Sequence, residues 1–254
     1  MSNSPDTGFE EAPLRGLLVD STPAIALVPA TKPHFHNHRA RLRDRFMTAG
    51  SGALADYELL ELVLFRAIPR RDVKPLAKRL LAEFGDFNRV ISAPAARIAK
   101  LQGVGSAVVQ EFKIVEAAAH KLGQARVLGQ DAIACWDSLM NYCKTVMAHR
   151  ETEQFRVLFL DQKNILIVDE AQAQGTVNHV PVYPREVMKR ALELNASAII
   201  LVHNHPSGDP TPSNADISMT HKIKEAAQVL GITLHDHVII GKETDASFNS
   251  LGLL

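Results

Sequence analysis

The sequence predicts two dissimilar halves, an all-helical N-terminal domain followed by a mixed α/β domain. Three observations carry this prediction. From Asp56 to about Leu122 apolar residues recur at helical spacing. Beyond residue 132 short β-rich runs alternate with helical stretches. Between these regions "GQARVLGQDAI" has two glycines and no helical stripe, which places a linker near 124–132. The 254 residues, 46% of them apolar and 22% charged, suit two soluble globular domains with a sizeable core. The predicted boundaries are a flexible tail at 1–33, a helical domain at 34–123, the linker, and an α/β domain at 133–254.

The tail carries scattered prolines and no sustained period. After it, "HFHNHRARLRDRF" places Arg39, Arg41, Arg43 and Arg45 within seven residues. "DYELLELVLFRAI" sets Leu59, Leu60, Val63 and Leu64 on one helical stripe. "DVKPLAKRLLAEFG" is a second helix, with Pro75 in its first turn and Gly85 as its stop. "PAARIAKL" starts a third, and "GVGSAVVQEFKIVEAAAHKLG" a fourth closed by Gly123. In the second half "WDSLMNYCKTVMA" reads as a helix. "EQFRVLFLD", "NILIVDEA" and "GTVNHVPV" read as strands, and "YPREVMKRALELN" as a helix opened by Pro184. "SAIILVH" is a short buried strand, "NADISMTHKIKEAAQVLG" a helix and "ITLHDHVIIG" a closing strand.

Formal net charge is zero but unevenly spread. Residues 1–130 carry 18 Lys+Arg against 13 Asp+Glu, and residues 131–254 carry 10 against 15, so the halves should meet different partners. Cys135 and Cys143 form neither a CxxC pair nor a zinc-finger spacing, which reads as two reduced thiols. "MSNSPDTGFEEAP" lacks an apolar signal core, and "GLLVDSTPAIALVP" is interrupted by Asp20 and Pro23 and too short to span a bilayer. A cytoplasmic location, away from membranes, is expected.

The densest chemistry lies in "HNHPSGDPTPSNAD", His203 to Asp216. His203 and His205 stand at i and i+2 where the strand ends, so in extended chain both imidazoles project to one side and could share a metal. The same letters also describe a polar turn: Ser213-x-x-Asp216 ahead of a helical run has the form of a capping box. Spacing alone leaves both readings open.

The loop resembles the JAMM motif of MPN domains, His-x-His, seven residues, Ser, two residues, Asp. "GTVNHVPVYPREVMKRALELNASAIILVHNHPSGDPTPSNADISMTHKIKEAAQVLGITLHDHVIIG" is similar to the RadC branch in particular, and so are "HRARLRDRF", "DYELLELVLFRAIPRRDVKPLAKRLL" and "LQGVGSAVV". The resemblance implies an α/β MPN domain of the JAB1/JAMM, cytidine-deaminase-like class, preceded by an all-α helix-hairpin-helix domain. It implies that His203, His205 and Asp216 hold Zn2+, that Ser213 donates to a developing oxyanion, and that a glutamate on an earlier strand is the general base. Glu153 matches that position best, with Glu151 as the fallback. The implied activity is metallopeptidase hydrolysis of a peptide or isopeptide bond in an unidentified protein substrate. Asn204 stands where deubiquitinating members carry Ser or Thr, which argues against a ubiquitin-type substrate. The rival readings are a DNA-repair accessory with an inert metal site and a metal-dependent nuclease. His235 and His237, again at i and i+2, read as structural strand histidines, with a supporting role behind the metal ligands as the alternative.

"LQGVGSAVVQEF" fits a helix-hairpin-helix in which Gly103 and Gly105 allow a tight turn and the next helix offers its N-terminus to a phosphate. A plain glycine-containing helix–helix turn is the alternative. Residues 31–130 carry 17 basic against 9 acidic groups, so DNA is the expected partner of this half, with Arg39 and Arg41 among its phosphate contacts.

Overall fold

A computed structural model of the chain describes residues 37–174 and 182–254. The first half is helical throughout. It comprises α1 (His38–Ala49), α2 (Asp56–Ala67), α3 (Lys74–Phe84), α4 (Phe87–Ser92), α5 (Ala95–Ile98) and α6 (Ser106–Val127). Leu60, Leu64, Leu76, Leu80, Val90, Ile98 and Phe112 interlock in one buried cluster. The apolar stripes of the sequence therefore converge, as amphipathic helices must.

Two helices escape the sequence pattern for physical reasons. In α1 the one buried residue is Leu42, so there is no stripe to read. Polar contacts dock it instead: Arg39 lies over the Phe65 ring at 4.4 Å and donates to the Ile68 carbonyl at 2.7 Å. His38 Nε2 meets Glu61 at 2.7 Å. The second, α4, has six residues, too few to show a period, and is set by Asp86, whose side chain accepts from Arg89 N–H at 2.8 Å.

The fourth predicted helix does not stop at Gly123; α6 runs on to Val127. A Cβ at Gly123 would lie 3.1 Å from Tyr142 Cδ2, so this glycine permits close packing of α6 and is not a helix stop. Gly129 N–H donates to Leu166 O, and Leu166 N–H to Gln130 O, tying the following segment to the second half.

That half comprises α7 (Trp136–Met147), β1 (Gln154–Leu160), β2 (Leu166–Gln174), α8 (Pro184–Glu193), β3 (Ala198–Asn204), α9 (Asn214–Val229), β4 (Thr233–Ile240) and β5 (Asp245–Ser247). The strand expected over "GTVNHVPV" lies almost wholly outside the described residues. The three-residue β5, too short to signal itself, extends the sheet edge. Strand order is β2-β1-β3-β4-β5, with β3 and β4 parallel and the other pairs antiparallel. Parallel strands need a crossover, and α9 supplies it.

The sheet is covered on both faces. Ile200, Val202, Val238 and Ile240 pack with Leu139, Cys143 and Met147 of α7. Ile199, Leu201, Phe155 and Val157 pack with Val187 and Met188 of α8 and Ile223 and Ala227 of α9. Truncating one of these large buried side chains to Ala costs about 2–5 kcal/mol. Strand alternation then puts His203 on the α8/α9 face, where the apolar run gives way to imidazole. No helix among the described residues is long and apolar enough to cross a membrane.

Candidate metal centre

The C-terminal end of β3 and the N-terminus of α9 meet at one point, and there His203, His205 and Asp216 converge. His203 Nε2 lies 3.0 Å from His205 Nε2 and 3.4 Å from Asp216 Oδ1, and His205 Nε2 lies 3.6 Å from Asp216 Oδ2. These three form the one His/Cys/Asp/Glu group of metal-binding geometry among the described residues.

The hydrogen bonds behind the rings settle their tautomers. Thr220 Oγ1 donates to the Asp216 carbonyl at 2.6 Å, so it accepts from His237 Nδ1, also at 2.6 Å. His237 Nε2 is then an acceptor, and His203 Nδ1–H donates to it at 2.8 Å. His205 Nδ1 faces the Asp209 carbonyl at 2.8 Å and must donate. When both rings are neutral, their Nε2 atoms present lone pairs toward each other and toward a carboxylate. Such an arrangement is repulsive without a cation at its centre. A tetrahedral ion with ligands at about 2.0–2.1 Å needs them about 3.3 Å apart, close to the spacing found. The residues present fit Zn2+ in number, donor type and spacing, and each histidine has the outer partner that metal-bound imidazoles use.

Electrostatics follow this geometry. Burial pushes His203 down to about 4, with His205 adding to the shift and Asp216 opposing it. Burial, with His203 beside it, also puts His237 well below the usual imidazole range. The Asp216 hydrogen bond raises His205 against burial, and the Asp209 carbonyl and the Asp216 and Glu153 charges contribute. Burial opposes ionisation of Asp216, but His205, His203 and the Ser213 hydrogen bonds outweigh it and hold the carboxyl far below its ordinary range. The trio thus combines an imidazole that burial biases toward its neutral form, an imidazole that Asp216 biases toward its protonated form, and a carboxylate, and metal binding requires both rings neutral.

Glu153 sits just ahead of β1, partly exposed. The antiparallel register that opposes Phe155 to His203 carries the preceding chain toward His205. Asn204 fixes that chain: its Oδ1 accepts from Gln154 N–H at 2.9 Å and its Nδ2 donates to Thr152 O at 3.2 Å, gripping the backbone on both sides of Glu153. Glu151 points elsewhere and pairs with Arg97 of the helical half.

Ser213 is the N-cap of α9. Its hydroxyl accepts from Asp216 N–H at 3.2 Å and donates to Asp216 Oδ2 at 2.6 Å, while Asp216 Oδ2 also accepts from Ser213 N–H at 2.8 Å. The capping box is therefore real, and it coexists with the metal geometry because one carboxylate has an oxygen for each task.

Three residues of the centre were not singled out as such in the sequence. The sequence pattern marks His237 chiefly as a structural strand residue, yet it hydrogen-bonds His203 directly, while His235 turns away to Asn164 at 2.7 Å. The strand pairing skips His235 between Leu234 and Asp236, and this one-residue bulge separates the two side chains. Thr220 lies four residues after Asp216, one helical turn on the same face, a spacing legible in the sequence. Asn204 lies between the two histidines, and that position is the signal the sequence offers for it.

In the helical half, Gly103 has φ +91° in the turn between α5 and α6, and a Cβ there would meet Arg79 Nη2 at 3.2 Å. Gly105 is the N-cap of α6, with open space where a Cβ would stand. Arg39 and Arg41 fall on different sides of α1: Arg39 is engaged with Phe65, Ile68 and Arg71, and Arg41 is exposed.

Comparison with known proteins agrees with this architecture. Residues 133–253 match the family described as RadC-like JAB domain, and residues 36–109 the family described as UPF0758 N-terminal. A UPF0758 protein of Ruegeria pomeroyi is 65% identical over 221 residues, covering 87% of this chain and 99% of the relative. A UPF0758 protein of Rhodobacter capsulatus is 66% identical over 213 residues, covering 84% of this chain and all of the relative.

Proposed function

The chain belongs to the UPF0758 family, with a RadC-like JAB domain in its C-terminal half, and we propose that it is a zinc-dependent hydrolase of peptide or isopeptide bonds. The observation that carries this reading is the convergence of two imidazole Nε2 atoms and a carboxylate within 3.0–3.6 Å at a strand end. His203, His205 and Asp216 would hold the ion, leaving one position of a four-coordinate site open, as catalytic sites do. Zinc, when bound, supplies Lewis acidity, lowering the pKa of water to about 7 and polarising a carbonyl.

The rest belongs to the chain. Glu153 accepts the proton from the attacking water and delivers it to the leaving amine, held in place by the Asn204 grip on Thr152 and Gln154. Ser213 turns its hydroxyl from Asp216 to the carbonyl oxygen as that atom gains charge. His237 and Thr220 keep His203 in the tautomer that offers Nε2. No cysteine or serine nucleophile is needed; Cys143 is buried, and burial pushes its thiol far up, away from the reactive thiolate.

The test is protein N-terminal profiling of a cell extract incubated with zinc-loaded wild type or Glu153→Gln. New termini made by wild type alone support the reading. DNA cleavage lost on chelation, without peptide cleavage, would point to the nuclease alternative, and no cleavage of either kind to an inert site.

A second reading concerns the basic helical half, proposed as a helix-hairpin-helix that carries the enzyme to DNA. The left-handed Gly103 turn and the Gly105 cap of the 22-residue α6 favour it. Arg41 is placed for a phosphate contact, whereas Arg39 would first have to leave Phe65. Affinity for DNA that falls with added salt supports this reading, and no binding by the full chain at low salt removes it.

A further inference from the structure

A cavity of about 250 Å³ opens between the helical half and the segments that flank the metal centre. Phe84, Arg89 and Arg97 line it from one side, and His149, Arg150, Glu151, Pro206 and Lys242 from the other. Pro206 follows the ligand His205, and Glu151 stands two residues before Glu153, so both chain segments of the centre continue into the cavity wall.

Its charge is unbalanced. Arg97 pairs with Glu83 and Glu151, and Arg89 lies 3.2 Å from Asp86. Arg150 and Lys242 have backbone partners instead: Arg150 Nε donates to Val146 O at 3.0 Å and Lys242 Nζ to Ser207 O at 3.3 Å. Among the described residues no carboxylate lies within 4 Å of either cation. One buried nitrogen at the cavity, His149 Nδ1, also has no hydrogen-bond partner among the described residues. Two cations without a carboxylate partner, beside a buried polar atom without one, mark a place for an anion.

The lysine is held there by design of the backbone. Its stem crosses Gly208, where a Cβ would lie 2.9 Å from Lys242 Cδ, and Gly208 has φ +95°. A Cβ at the neighbouring Gly241 would lie 2.4 Å from Gly208 O. The loop carrying His205 and the turn carrying Lys242 are thus packed backbone to backbone.

We propose that this cavity is a carboxylate subsite, which receives an acidic side chain or the free C-terminus of a peptide whose scissile bond lies at the metal centre. The inference rests on the hydrolase reading for the word substrate, but not for the binding itself. A cavity of this size, walled by Phe84 and Pro206, admits one side chain and excludes a nucleic-acid duplex. Arg150 brings a guanidinium and Lys242 an ammonium to the same cavity wall, and both are cations that carboxylates pair with.

The test is fluorescence anisotropy of full-length protein with a fluorescein-labelled peptide of alternating Gly and Glu. A Gln-containing, C-terminally amidated counterpart and a short single-stranded DNA serve as comparisons. The acidic peptide is expected to bind more tightly than its counterpart. Lys242→Met, which keeps the stem over Gly208, and Arg150→Gln are each expected to weaken it about 10- to 100-fold, the loss of one charge-assisted hydrogen bond. Chelation of zinc should leave the affinity unchanged, so failure of the hydrolase reading and failure of this one are distinguishable. Equal binding of both peptides to wild type overturns the proposal whether or not the variants fold. So does binding of the DNA alone with the same sensitivity to Lys242→Met, which would assign the cavity to phosphate.

Discussion

His203 Nδ1 donates to His237 Nε2 across 2.8 Å of fully buried space, and that bond decides which nitrogen of His203 faces Asp216. Replacing His237 by Phe leaves the His203 N–H without an acceptor and frees the ring to invert. Loss of such an outer partner typically weakens metal binding about 10- to 100-fold. Competition against a chromophoric chelator checks this, and unchanged zinc affinity in a folded His237→Phe protein would detach His237 from the centre. Thr220→Val, one bond further out, is expected to show the same effect in weaker form.

The buried histidines also set the acid stability of the zinc-free protein. His203 titrates at about 4 in the folded state against about 6.5 when unfolded, so between these values the unfolded chain binds more protons. The contribution is therefore complete above about pH 6.5 and lost as pH falls toward 4, on the order of 3 kcal/mol for His203. His237 acts in the same direction, and His205, raised in the folded state, offsets part of it. Denaturant midpoints of chelated protein should fall from about pH 7 to about pH 4.5, less steeply for His237→Gln, which cannot titrate there. A midpoint that rises on acidification contradicts the burial of these rings.

Asn204→Ala removes both hydrogen bonds that grip the chain around Glu153. The Gln154 N–H is left in a buried setting, at a cost of about 1–3 kcal/mol. Zinc content is expected to persist while turnover falls, because the base loses its position and the ligands keep theirs. Zinc loss on a par with a ligand substitution would show instead that Asn204 acts on the metal loop.

Ser213→Ala separates cap from catalyst. As the N-cap of α9 it is worth about 1 kcal/mol. As an oxyanion donor its loss slows hydrolysis about 100- to 1000-fold. Both losses are expected together, read by thermal melts and by turnover on a substrate found by terminal profiling. A melt shift with full turnover would leave Ser213 as a cap alone.

Much of the centre was legible because it is local. His203 and His205 lie on one strand end, and Ser213 and Asp216 form one helical turn, so spacing alone brings each pair together. The two pairs meet because the β3–α9–β4 crossover returns α9 to the strand it leaves. What spacing could not give are contacts between distant segments. His237 reaches Thr220 across 17 residues, and Asn204 reaches Gln154 across 50. The bulge at His235 was equally hidden, since an unbroken strand would turn His235 and His237 to one face. In the helical half, α1 lay unseen because a cation–π contact and the Arg45–Glu58 ion pair help hold it in place of an apolar stripe.

The central claim, that His203, His205 and Asp216 hold a metal while Glu153 serves as base, meets its most direct test in elemental analysis of purified full-length protein. Wild type and Glu153→Gln are each expected to carry about one zinc per chain, and His203→Ala close to none, with a lower melting temperature because the stabilising ion is gone. Equal zinc in wild type and His203→Ala, with both folded, would contradict the account.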